Sequence, residues 1–269
     1  MPFIDAHCHL DDEQFAHDPS TGSGQALDAV IARATDAGVT AIITAGADAA
    51  SSRAAVSLAQ KYAIVYAAVG IHPHHAESFD DAALAEIRTL AQQRQVVAIG
   101  EIGLDFHYAD GAPRAAQERC LLAQLDLAEE LGKPVVIHDR DAHREIGEII
   151  RRRNGKPRGI LHCFSGDLAM ARQAIALGYY ISFAGSVTFQ NAPRLQEIAR
   201  ALPLERIVVE TDAPYLSPQR GRRNEPANVV HIVTKIAEIR NINPDVVAVA
   251  TTRNSETLFA LRTGNSLSR

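Results

Sequence analysis

The sequence predicts a (β/α)8 TIM barrel, with residues 1–269 forming one domain. Three observations carry this reading. Eight short runs of β-branched and apolar residues alternate with amphipathic segments whose apolar positions recur at i, i+3 and i+4. The runs start roughly 20–40 residues apart, the size of a strand–helix unit with its return connection. The chain has 269 residues, and one such barrel takes about 250. A doubly wound open sheet is the rival, but the sequence has neither its glycine-rich dinucleotide turn nor a phosphate-binding loop.

Taken in order, strands are expected at 3–7, 40–44, 64–70, 96–101, 135–138, 159–162, 179–183 and 207–212. Amphipathic helices are expected at 27–37, 84–93, 117–131 and 146–153. Gly38, Gly132 and Gly178 follow such segments and suit the left-handed residue that closes a helix. No linker, low-complexity stretch or charge block divides the chain.

Composition narrows the function. Hydrophobic residues are 46% and charged residues 22%, a globular balance. No apolar run approaches the ~18 residues that cross a bilayer, and Met1-Pro2-Phe3-Ile4-Asp5 lacks the features of a secretory signal. Three cysteines make no disulfide framework. A soluble protein of a reduced compartment, the cytoplasm, is expected, with no membrane and no obligate protein partner. The formal net charge of −5 argues against a surface built mainly to embrace phosphates. Aromatics are 5% and tryptophan is absent, which predicts that bases are not gripped by stacking and that sequence preference is weak.

The 11 histidines are the feature to follow. In a barrel of this class the reactive face lies at the C-terminal ends of the strands. There the sequence places His7 and His9, His72 and His74, Glu101, His138, His162, and Glu210 with Asp212. Residues i and i+2 of a strand share a face, so His7 and His9 point one way while Cys8 packs the other. Acidic residues are rarely buried without compensation, and metal ions supply it. Four histidines, one glutamate and one aspartate exceed the three protein ligands of one catalytic ion. They suit two ions with a bridging carboxylate. Imidazole without thiolate favours Zn, Mn, Co or Ni, with Mg also considered.

The motifs carrying these residues resemble the TatD family of metal-dependent hydrolases, described as deoxyribonucleases. They are Asp5-Ala6-His7-Cys8-His9-Leu10, Gly70-Ile71-His72-Pro73-His74 and Gly100-Glu101-Ile102-Gly103-Leu104-Asp105. Val136-Ile137-His138, Leu161-His162-Cys163-Phe164-Ser165-Gly166 and Glu210-Thr211-Asp212-Ala213-Pro214-Tyr215-Leu216 follow. The resemblance implies one ion on His7, His9, Glu101 and Asp212, and a second on Glu101, His138 and His162, with Glu101 bridging. Two stretches depart from the family pattern: 17–24 is richer in Ser and Gly, and the loop from Leu216 to Arg220 is short.

The activity the resemblance implies is phosphodiester hydrolysis of nucleic acid, DNA ahead of RNA, in a 3'-5' exonuclease manner. Asp212 is the candidate general base beside Glu101. Asp105 is expected to orient a ligating imidazole, and Glu210 to support the site from a deeper layer. His72, His74, Arg220, Arg222 and Arg223 are candidate substrate contacts, the arginines because barrels bind phosphate on that face. The run Arg151-Arg152-Arg153 instead ends a helix, where cations complement its dipole. An ester or amide hydrolase, such as a deacylase of aminoacyl-tRNA, is the alternative enzyme. A non-catalytic metal- or partner-binding barrel is the third reading.

Overall fold

The structure is a computed structural model and describes residues 1–16 and 26–261. The Ser/Gly-rich stretch 17–24 lies outside the described residues. Along the chain run β1 (Phe3–Cys8), α1 (Ala26–Asp36), β2 (Val39–Ala45), α2 (Ala49–Lys61), β3 (Val65–Val69), α3 (Asp81–Ala91) and β4 (Val96–Asp105). Then come α4 (Arg114–Leu131), β5 (Val135–Arg140), α5 (His143–Arg152), β6 (Gly159–Leu161), α6 (Leu168–Ala176) and β7 (Tyr180–Phe183). The last elements are α7 (Pro193–Ala201), β8 (Ile207–Val209), α8 (Val229–Arg240) and α9 (Pro244–Phe259). The strands are ordered β1 to β8, the strand order of a (β/α)8 barrel. Among the described residues, no helix is long and apolar enough to cross a membrane.

The chain divides into two compact units, Met1–Thr44 with Ser182–Arg269, and Ala45–Ile181. In the first, β1 pairs with β2 in parallel, with Ile4 opposite Ala41 and Cys8 opposite Thr44. All six residues of β1 are buried. Parallel strands are covered on both faces, so they read as continuous apolar runs rather than as alternation. Helix α9 seals this unit through Asn254, whose Nδ2 donates to Leu204 O and Ile207 O at 2.9 and 2.7 Å.

In the second unit β4 pairs with β3 and β5, and β5 with β6, all in parallel. Helix starts here are set by carboxylate caps: Asp48 with Ser51 forms a capping box on α2, and Asp80 and Asp167 cap α3 and α6. Gly38, Gly132 and Gly178 all adopt the positive φ expected of them, at 90°, 64° and 93°.

Three of the differences at strand ends bear on the site. β4 runs four residues past Glu101, because its register to β5 slips between Ile99 and Ile102 and pairing then resumes as far as Asp105 and Arg140. β6 and β8 stop at Leu161 and Val209, so His162 and Glu210–Asp212 continue beyond the strands. The arginine run closes α5 as expected. Arg153 in addition reaches Asp126 and Glu129 of α4 at 2.8 and 2.9 Å.

Candidate metal centre

Each unit brings ligand-type side chains together in a cluster. In the first unit, His7 is the penultimate residue of β1, and His9 lies just past its end. The His9 N–H donates to Ala213 O at 2.7 Å, and the Asp212 N–H donates to His7 O at 3.0 Å. Two backbone bonds therefore lock the β1 exit to the segment after β8. Asp212 sits there with φ 54°, a left-handed conformation that Asp tolerates better than most residues. The result is compact: His7 Nε2 and His9 Nε2 are 3.2 Å apart, and each is 3.6 Å from Asp212 Oδ1.

Beneath this cluster lies Asp5, fully buried. Its carboxylate accepts from Thr211 N at 2.8 Å and Thr211 Oγ1 at 2.5 Å. Burial pushes the Asp5 carboxyl up to about 8, the Thr211 bonds oppose the shift, and the neighbouring Glu210 adds to it. Glu210 itself is buried and accepts from Ser182 Oγ at 2.5 Å.

In the second unit, Glu101 is the centre. Its Oε1 lies 2.8 Å from His138 Nδ1, 2.8 Å from His162 Nε2 and 3.5 Å from His72 Nε2. His138 Nδ1 and His162 Nε2 are 3.3 Å apart. The strand bulge at Gly100–Glu101 re-aims this side chain, as bulges beside functional sites do. Gly103 keeps the neighbouring strand close: at φ +155° a Cβ there would fall 1.9 Å from His138 O. Side chains of α4 hold the ends that carry the site. Gln124 bonds both the N–H and C=O of Ile71, at 2.7 and 3.0 Å, and Gln117 does the same for Asp105, at 2.8 and 2.9 Å.

Electrostatics follow from this packing. Burial pushes the Glu101 carboxyl up, but His162, His72 and the His138 bond outweigh it and hold the group well below the carboxylate range. Burial likewise disfavours charge on His138, yet its bonds to Asp105 and Glu101 raise its pKa above the ordinary histidine value. His72 goes the other way, lowered by burial to about 4 although Glu101 pulls it up. The neutral imidazole is the form that binds metal.

The donor set fits a divalent ion. Bonds of about 2.0–2.1 Å in a tetrahedral site place neighbouring ligand atoms about 3.3 Å apart. The spacings of 3.2 and 3.6 Å in one cluster, and of 2.8 to 3.5 Å in the other, bracket that value. Two triads, His7–His9–Asp212 and His72–Glu101–His138, keep their ligand atoms within 4.8 Å. Asp105 Oδ2 lies 3.1 Å from His138 Nε2, the ring nitrogen turned away from Glu101. That is the carboxylate–histidine arrangement which orients a metal ligand.

Sequence reasoning placed His72 and His74 together at the substrate. The structure keeps them together, ring centroids 4.4 Å apart and the His74 N–H donating to His72 Nδ1 at 3.1 Å, with His72 against Glu101 and His74 bonded to Asp105 at 2.9 Å. Arg220 and Arg222 are exposed on the loop after β8. Arg223 instead lies 4.8 Å over the Phe15 ring and donates to Gln14 O. The sequence reading missed Gln117, Gln124 and the Asp5–Thr211 pair. It also missed Asp139, half-buried and next to His138 in the chain, which accepts from His143 Nδ1 at 2.9 Å.

A (β/α)8 barrel bearing two histidine–carboxylate clusters defines a metal-dependent hydrolase. The family model of the TatD related DNases matches residues 4–260, and the chain belongs to that family. It is 37% identical over 266 residues to the 3'-5' ssDNA/RNA exonuclease TatD of Escherichia coli, covering 96% of this chain and 99% of that protein. It is 39% identical over 264 residues to an uncharacterized metal-dependent hydrolase TatD of Mycobacterium tuberculosis, with 96% and 98% covered. Among solved structures, the TatD homolog YJJV of Escherichia coli matches with a TM-score of 0.86 at 33% identity, over 97% of this chain and 98% of that one.

Proposed function

We propose that this protein is a 3'-5' exonuclease-like phosphodiesterase acting on single-stranded nucleic acid, DNA ahead of RNA, with two divalent ions. The observation that carries the reading is the pair of histidine–carboxylate clusters spaced for ion binding. Relatives at 37% identity are named as ssDNA/RNA exonucleases, which supports the substrate class. In this reading residues 1–269 act as one domain. His7, His9 and Asp212 hold one ion, and Glu101, His138 and His162 hold the other. His72 neighbours Glu101 and joins that second group. Imidazole-rich ligands favour Zn, Mn, Co or Ni, with Mg also in range. Cys8, Cys120 and Cys163, none of them in a disulfide, accord with a reduced, cytoplasmic setting.

When bound, the ions supply Lewis acidity, which polarises a phosphoryl oxygen and lowers the pKa of water from about 15.7 toward about 7. The protein's own groups do the rest. Asp212 is partly exposed and accepts the proton of the attacking water at its carboxylate. Asp105 holds the His138 ring by its Nε2–H, leaving Nδ1 turned toward Glu101. Arg220 and Arg222 take the substrate phosphates by charge-assisted bonds.

The test incubates metal-loaded protein with end-labelled single-stranded DNA, RNA and a charged tRNA, with and without chelator. Chelator-sensitive shortening from the 3' end is expected. Release of the amino acid from tRNA without shortening of any strand would replace the reading by a deacylase. No reaction in any arm would leave only the binding-barrel reading.

A further inference from the structure

The chain has only six tyrosines and eight phenylalanines. Among the described residues, two aromatics stand among the exposed large apolar side chains, Tyr108 and Tyr215, at 48% and 49%. Both lie against histidines of the candidate site. In the first unit, Tyr215 follows Asp212 by three residues, and its ring centroid is 6.1 Å from that of His9. In the second, the Tyr108 ring is 5.4 Å from His74, whose Nε2 bonds the carboxylate that holds His138.

Each ring is held in place. The Tyr215 hydroxyl donates to Asp12 Oδ2 at 2.7 Å. The Tyr215 N–H donates to Asp212 O at 2.9 Å, and Asn224 Nδ2 donates to Tyr215 O at 2.7 Å. A side chain tied at its hydroxyl and at both backbone groups loses little further freedom when something packs on it. Tyr108 carries the Arg140 guanidinium 5.3 Å from its ring centre, and Arg140 Nη1 donates to the Tyr108 hydroxyl at 3.4 Å. An exposed cation beside an exposed ring pairs a phosphate contact with a stacking face. A half-exposed tyrosine ring forgoes burial of a large apolar surface, and a stacking partner restores it.

We propose that Tyr215 and Tyr108 are nucleobase-stacking platforms, one beside each metal cluster, which select unpaired strands because only there is a base face open. The proposal rests on the nucleic-acid reading above. It revises the expectation that bases are not stacked: the aromatics are few and mostly in the core, but Tyr108 and Tyr215 are exposed beside the site. Stacking accepts every base, so weak sequence preference is retained.

The experiment compares an intact single-stranded oligodeoxynucleotide with one whose two terminal residues are abasic. Binding to metal-loaded protein is read by fluorescence anisotropy on strands with phosphorothioate end linkages, and turnover as kcat/KM on ordinary strands. Wild type is expected to favour the intact strand by about 5- to 150-fold for each stacked base. Tyr215→Leu and Tyr108→Leu should each shrink the intact-to-abasic ratio by such a factor. The Phe variants should keep most of it, since the ring is preserved. A wild-type ratio near one, or a ratio that survives both leucine changes, overturns the proposal. Base-dependent binding without cleavage would overturn the exonuclease reading and leave the stacking proposal standing. Cleavage without base dependence would do the reverse.

Discussion

At the residue scale, the decisive group is Glu101, a buried carboxylate with two imidazole nitrogens at 2.8 Å. Glu101→Ala should abolish metal-dependent turnover while leaving the far-ultraviolet circular dichroism intact; full activity of the folded variant would remove Glu101 from the site. Asp105 acts through His138, so Asp105→Asn should weaken metal affinity about 10–100-fold, read by metal titration. Metal binding should also release protons. The His138 pKa is raised, so the ring keeps its proton to higher pH than an ordinary histidine, and the ion must displace it. Affinity therefore climbs as pH rises through that range and levels off above it. His72, lowered to about 4, is already neutral there and adds no such dependence. Calorimetry in two buffers of different ionisation enthalpy checks the proton count. His7, His9, Glu101, His138, His162 and Asp212 were legible as candidates because six ligand-type residues fall together at strand ends, although any one of them alone reads as a core or rim residue. Tyr108 and Tyr215 were not, since exposure is a property of packing and not of spacing.

At the element scale, β4 and α4 form a clamp. Gln117 and Gln124 supply the partners that Asp105 and Ile71 lack, so the site rests on two amides from one helix. Gln117→Leu leaves the Asp105 N–H and C=O without these bonds, each costing on the order of 1–3 kcal/mol. Urea unfolding should show the loss, and activity should fall with it because Asp105 steers His138. Strand existence was readable from the buried apolar runs, but the extension of β4 was not. It depends on a register slip against β5, a relation between segments distant in sequence. The glutamines were equally hidden. A Gln in an amphipathic helix looks like any solvated residue until its amide meets a strand end.

At the scale of the whole molecule, anything that binds the native chain and not the unfolded one stabilises it. An ion at a hundred times its dissociation constant adds about 2.7 kcal/mol. Chelation should therefore lower the unfolding temperature, and adding the metal back should restore it; an unmoved transition would mean no folded-state site. With a net charge of −5, long-range attraction of a strand is absent and phosphate contacts are local. Each such contact on a single strand contributes about −0.7 to the slope of log K against log salt. Arg222→Ala should flatten the slope by that amount. The order of eight strands was legible because strand–helix alternation at barrel length leaves few other topologies.

The first compact unit is discontinuous in sequence, residues 1–44 with 182–269. This gives synthesis on the ribosome a sequence of its own. His7 and His9 are made first, and their partner Asp212 is translated more than 200 residues later. Every ligand of the other cluster, from His72 to His162, has by then been made. A chain terminated before Asp212 thus lacks the carboxylate proposed to accept the proton from water. On the proposed reading, a chain that stops short of Asp212 holds one cluster whole and the other open, and cannot cut.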